Sequence, residues 1–157
     1  MQFFDYNSIL LDLGIILRIV VVIALAGFLG WERESSGKSA GFRTHMLVGI
    51  GSVLFVAIGE IFVENYRHFN ENMRFDPIRI IEAIVTGISF IGAGIIFVAK
   101  EKGVVKNLTT AASIWTTSAI GMIVGLQRYF LAFISTIIIF AVLRLLNYWE
   151  IKETSSK

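Results

Sequence analysis

The chain has 157 residues, 55% of them hydrophobic and 17% charged, with a formal net charge of +2. Soluble domains carry about 25% charged residues, so this balance and a mean hydropathy of +0.74 point to one compact membrane unit rather than several soluble domains. No basic face with interleaved aromatics stands out, which excludes nucleic acid as a partner, and the absence of cysteine excludes disulfides, thiolate metal sites and a Cys nucleophile.

A membrane-spanning helix needs about 20 mostly apolar residues. Five segments come close, at about residues 13–31, 45–63, 78–99, 108–126 and 128–148. They are too long and continuous for the alternation of a membrane β-strand, and they lack the polar stripes of a soluble bundle. The expected fold is an all-α, polytopic integral membrane bundle of five transmembrane helices, one domain over residues 1–157.

The start, Met1-Gln2-Phe3-Phe4-Asp5-Tyr6, has no positive n-region, so the first apolar run is expected to stay as a span. That span holds Arg18 and a small-residue pair, Ala26 and Gly30. In the connection that follows, Ser36-Gly37-Lys38-Ser39 resembles the end of a P-loop. The pattern needs a glycine where Glu32 stands, and no strand precedes it, so nucleotide binding is rejected. What remains is a short loop with opposed charges: Glu32, Arg33, Lys38 and Arg43, followed by Thr44 and His45. Gly37 and Gly41 allow it a tight path. Two readings stand open: an ion-pair network holding two helix ends, or a docking site for an ion or a protein.

The second span carries Glu60, and residues 64–78 form the longest loop, charged and most simply solvated. Pro77 fits the first turn of the next helix, where its missing N–H costs nothing. The third span carries Glu82 and the run Thr86-Gly87-Ile88-Ser89-Phe90-Ile91-Gly92-Ala93-Gly94. The fourth begins after Asn107, which with Thr109 is a candidate N-cap. Asn107-Leu108-Thr109 also matches a glycosylation sequon, idle on a cytoplasmic side. This span is the least apolar, with Thr109, Thr110, Ser113, Thr116, Thr117 and Ser118, and is expected to face protein rather than lipid. It ends in Gly121-Met122-Ile123-Val124-Gly125, a GxxxG pattern, and the fifth span follows so closely that the two must form a tight hairpin. Gly87, Gly92, Gly94, Gly121 and Gly125 are the packing positions, since small residues let membrane helices approach closely. They serve packing within the bundle or a homodimer seam.

Eight loop Lys and Arg (Arg33, Lys38, Arg43, Lys100, Lys102, Lys106, Lys152, Lys157) fall on one side against four (Arg67, Arg74, Arg79, Arg128) on the other. The positive-inside rule then places the N-terminus outside and the C-terminus in the cytoplasm. Arg18, Glu60 and Glu82 all fall toward the outer half of the membrane, where charges pair or line a polar cavity. They are expected to meet, joined by Arg79, either as a structural salt-bridge network or as a cation site in which two carboxylates hold a partly hydrated Mg²⁺. His45 and His68 lie on opposite sides, and no nucleophile–base–orienter set or metal-ligand cluster is present, so no enzyme is expected.

Three ordered motifs together resemble the MgtC/SapB family. Its first-loop pattern is matched by Leu29-Gly30, Glu32-Arg33, Gly37-Lys38, Ala40-Gly41, Arg43-Thr44-His45 and Leu47-Val48. Its third-span pattern is matched by residues 86–94 and its LTTAA pattern by residues 108–115, so that the resemblance covers about residues 10–147. Ser89 departs from a common glycine, and Ala83 stands where a polar residue is usual beside Glu82. The chain stops at Lys157, about nine residues past the last span, and so looks like a short, membrane-only form without the C-terminal soluble domain of better-known members. The resemblance implies a bacterial inner-membrane protein linked to Mg²⁺ homeostasis. It implies a non-enzymatic regulator of other membrane proteins, the proton-driven ATP synthase among them, with no resident cofactor. The alternative it implies is a transporter or channel for Mg²⁺ or another cation. Five spans without an inverted repeat are a poor transporter plan for one chain, so that alternative needs a dimer. Expected partners are the lipid bilayer and either a second copy or other membrane proteins.

Overall fold

A computed structural model describes the backbone of residues 6–67, 76–98 and 106–154, and the side chains of residues 8–64, 76, 78–97 and 106–145. His68, Arg74, Lys100, Lys102 and Lys157, which bear on the expected orientation, lie outside the described residues. Five helices follow one another: α1 (Tyr6–Ser35), α2 (Phe42–Arg67), α3 (Pro77–Val98), α4 (Leu108–Gly125) and α5 (Tyr129–Thr154). The molecule is an all-α membrane bundle. Ser8–Ser35, Phe42–Glu64, Ile78–Phe97 and Leu108–Gly125 are long and apolar enough to cross a bilayer, and Tyr129–Leu145 of α5 is a shorter apolar stretch.

α1, α2 and α5 run past the expected span limits, because a helix already nucleated gains a backbone bond with each added residue and needs no apolar side chain to do so. α1 is stopped by a defined device. Gly37 takes φ 65, its N–H donates to the Glu34 carbonyl, and the Lys38 N–H donates to the Arg33 carbonyl, both at 3.0 Å. This is a Schellman motif, and the left-handed position is one that glycine fills without a Cβ clash. α3 starts as its sequence predicts, with Pro77 in first place, and Asp76 caps it by accepting the Ile78 N–H at 3.0 Å. α4 does not: Asn107 is its N-cap residue, but with φ 63 and no side-chain capping bond. Gln127, at φ 60, turns the chain between α4 and α5, so that Arg128 lies in the turn and α5 begins at Tyr129.

α4 is the central helix. Of its span 56% is buried, against 11% of the α3 span and 17% of that of α1. Its hydroxyls are satisfied mainly within the helix: Ser113 donates to the Thr110 carbonyl and Thr117 to the Ser113 carbonyl, both at 2.8 Å. Ser118 meets Ser52 of α2 at 2.8 Å. That pattern lets a polar sequence sit dry among its neighbours. The apolar core joins Val22 and Ala26 of α1, Val53 of α2, Val124 of α4 and Ala132 of α5. The outer surface carries many large apolar side chains, Phe90, Phe97 and Phe130 about 80% exposed among them, which suits hydrocarbon and not water.

Candidate functional site

Three places bring the sequence-predicted residues into three dimensions. The first is the corner between α1 and α2. Glu32, Arg33 and His45 are turned inward and fully or almost fully buried, while Arg43 and Thr44 are exposed and Lys38 is half-buried. The family-motif loop is thus two sets of residues, one inside and one outside. Of the two readings left open for the corner, the ion-pair network does not run through Arg43, which is exposed and makes no ion pair among the described residues. Glu34, which the sequence did not single out, does the joining: its Oε2 accepts the Phe42 N–H at 2.8 Å and so caps α2. Nothing local marks Glu34 for this, because the contact exists only once the chain has folded back eight residues later.

Close packing completes the corner. A Cβ on Gly30 would stand 2.7 Å from the Phe42 Cα, and one on Gly41 would stand 2.6 Å from the Glu34 carboxylate. His45 is clamped by the Gly41 carbonyl at 2.9 Å on Nδ1 and by the Ser113 hydroxyl at 3.3 Å on Nε2, which ties α2 to α4. The carbonyl can only accept, so Nδ1 carries a proton. Ser36 donates to Glu32 Oε1 at 2.9 Å.

The second place is the intramembrane charge set. Arg18 pairs with Glu60 and also donates to the Gly125 carbonyl at 2.9 Å, at the C-terminal end of α4. Glu82 does not join them. It is exposed on α3 and makes no hydrogen bond or ion pair among the described residues. Arg79, expected to bridge, instead lines a groove near Asp76. Charge alone foretold that Arg18 needs a partner. It could not foretell the rotation of α3 that carries Glu82 away. Among the described residues no group of three or more His, Asp or Glu is placed to hold a metal ion.

The third is a groove of about 1210 Å³ between α2 and α3, with Ser118 of α4 at its floor. It runs along α2 from Leu47 to Phe62, which at 1.5 Å per residue is roughly 22 Å. Gly51 and Gly87 both line it, and a Cβ added to either would have no atom within 4 Å, so the backbone is open there. The packing glycines divide accordingly. A Cβ on Gly121 would stand 2.7 Å from the Gly49 carbonyl oxygen, one on Gly125 would stand 2.8 Å from Val56, and one on Gly92 would stand 3.7 Å from Ala111. Gly87 and Gly94 touch nothing. The GxxxG of α4 is an internal seam, and the glycine run of α3 is mostly an outer one.

Comparison with known proteins agrees in extent with this architecture. The model of the MgtC family matches residues 19–151. The chain is 38% identical over 132 residues to "Putative magnesium transporter YhiD" of Escherichia coli strain K12, covering 84% of this chain and 60% of that protein. It is 37% identical over 123 residues to "Protein MgtC" of Brucella suis, covering 78% of this chain and 47% of the relative. An uncharacterized protein of Haemophilus influenzae is 32% identical over 128 residues, covering 82% of this chain and 53% of that protein. The chain therefore spans about half to three-fifths of the length of these relatives. No solved structure matches it.

Proposed function

Since the chain belongs to the MgtC family, we propose that it is a multi-pass protein of the bacterial inner membrane that serves Mg²⁺ homeostasis as a non-enzymatic regulator, taking a transmembrane helix of another membrane protein into the α2–α3 groove. The observation that carries this reading is the length of the groove. The hydrocarbon core is about 30 Å thick, so an acyl chain from one leaflet reaches about half of it. A channel of roughly 22 Å suits a helix instead. Gly51 and Gly87 on its walls let a partner backbone come close, the arrangement from which helix association in lipid draws its packing energy. The proposed orientation keeps the N-terminus outside and the α1–α2 corner in the cytoplasm.

The test uses Gly87→Ile. Nothing inside the chain touches this position, so the bundle should fold. Cells that depend on this protein at limiting Mg²⁺ are expected to lose growth, and a photocrosslinker placed at residue 51 is expected to lose its adduct with the partner. Normal growth with an unchanged crosslink would reject the groove as the contact.

A second reading, a Mg²⁺ transporter acting as a dimer, is favoured by one observation and opposed by another. Glu82 offers an exposed carboxylate within a membrane span. Glu60, its intended co-ligand, is engaged by Arg18, whose positive charge weakens any cation site there.

A further inference from the structure

Apart from Asp76 and Arg79, the residues lining the α2–α3 groove are apolar or glycine except for two serines, Ser52 and Ser118. These two meet each other at 2.8 Å. Ser52 lies close to the middle of the span Phe42–Glu64, and Ser118 close to the middle of Leu108–Gly125. Gly51 and Gly87, where the groove wall is bare backbone, lie near the middle of their spans as well, Gly87 in Ile78–Phe97. The side chain of Ile80 packs at Gly59, and consecutive spans run in opposite directions, so Gly51 and Gly87 come level with each other. Hydroxyl pair and bare backbone thus share one depth, that of the bilayer midplane.

The protons of this pair are already spent. Each hydroxyl has one to give. Ser52 donates its own to the Val48 carbonyl at 3.0 Å, so the proton between the two serine oxygens comes from Ser118. What the pair has left is lone pairs, and neither oxygen receives another hydrogen bond among the described residues. No water competes for them at this depth, and an acceptor without a donor costs free energy in an apolar medium.

We propose, on the reading that the groove seats a partner helix, that this helix carries a serine or threonine at the middle of its own span and donates that hydroxyl to the Ser52–Ser118 pair. A donor is required because the pair has no proton to offer. A neutral one is required because charge at the midplane is costly. A short side chain is required because a longer one would hold the partner backbone away from Gly51 and Gly87.

The experiment takes the full chain in liposomes, with a photocrosslinker in place of Phe55, an exposed groove residue. Two designed transmembrane peptides of about 20 leucine and alanine residues are titrated against it. They differ only in one central residue, serine or alanine. The serine peptide is expected to be captured with an apparent affinity about three- to tenfold above that of the alanine peptide. Ser118→Ala should make the two peptides equal. In that variant Ser52 keeps its bond to Val48, so no donor is stranded. Equal capture with Ser118 in place, or a preference that survives Ser118→Ala, overturns the hydroxyl match and leaves the groove reading standing. Capture of neither peptide at residue 55 overturns both.

Discussion

The two halves of the Arg18–Glu60 ion pair are not equivalent, because the Arg18 side chain is 6% exposed and that of Glu60 44%. Removing the carboxylate strands a buried cation, whereas removing the cation leaves a carboxylate four residues from the end of the span Phe42–Glu64, which can reach toward the interface. Glu60→Gln is therefore expected to destabilise the bundle by on the order of 1–3 kcal/mol, and Arg18→Met by less. The double variant should recover part of the loss, since buried pairs are often replaceable as a unit. Chemical unfolding in detergent measures all three, and a larger loss in Arg18→Met would contradict this ranking. At this scale the sequence was half legible. That Arg18 needs a partner follows from the cost of charge in lipid. That Glu60 answers and Glu82 does not depends on helix rotation, and helices apolar on every side carry no stripe from which rotation can be read.

Among the elements, α3 and α4 carry similar glycine patterns and opposite roles. Gly121 lies against the backbone of α2, so Gly121→Ala forces a methyl to within 2.7 Å of the Gly49 carbonyl oxygen. Overpacking of this kind costs about 1–3 kcal/mol. Gly94→Ala meets nothing and should change stability by no more than about 0.5 kcal/mol. Equal thermal shifts in the two variants would mean that the seams are not divided as described. The existence of both seams was readable from spacing, and the protein-facing character of α4 was readable from its hydroxyls. Which seam is internal was not, because that is decided by which helices are neighbours. Glu34 escaped for a related reason, its role being defined by a backbone eight residues away.

For the molecule as a whole, the question is whether one chain or a pair of chains offers a path for an ion. Within one chain the acidic residues of the membrane do not converge: Glu60 is held by Arg18 and Glu82 stands apart on α3. Proteoliposomes containing the purified protein are accordingly expected to show no Mg²⁺ flux above empty vesicles. Flux that is present and disappears in Glu60→Gln and Glu82→Gln would instead establish the transporter reading, with the two carboxylates brought together across copies.

The polar sequence of α4 has a consequence for how the protein is made. Its Thr and Ser hydroxyls are satisfied mainly within the helix, with Ser118 also meeting Ser52 of α2, and it is still the least apolar of the four long spans. During synthesis a segment of this kind is a weak substrate for release into lipid on its own. Its entry would lean on the helices already inserted ahead of it and on α5, which leaves the ribosome joined to it by the short turn 126–128. The helix that organises the finished bundle is thus the one whose insertion depends most on its neighbours. The order of synthesis, with α1, α2 and α3 ahead of it and α5 close behind, provides them in time.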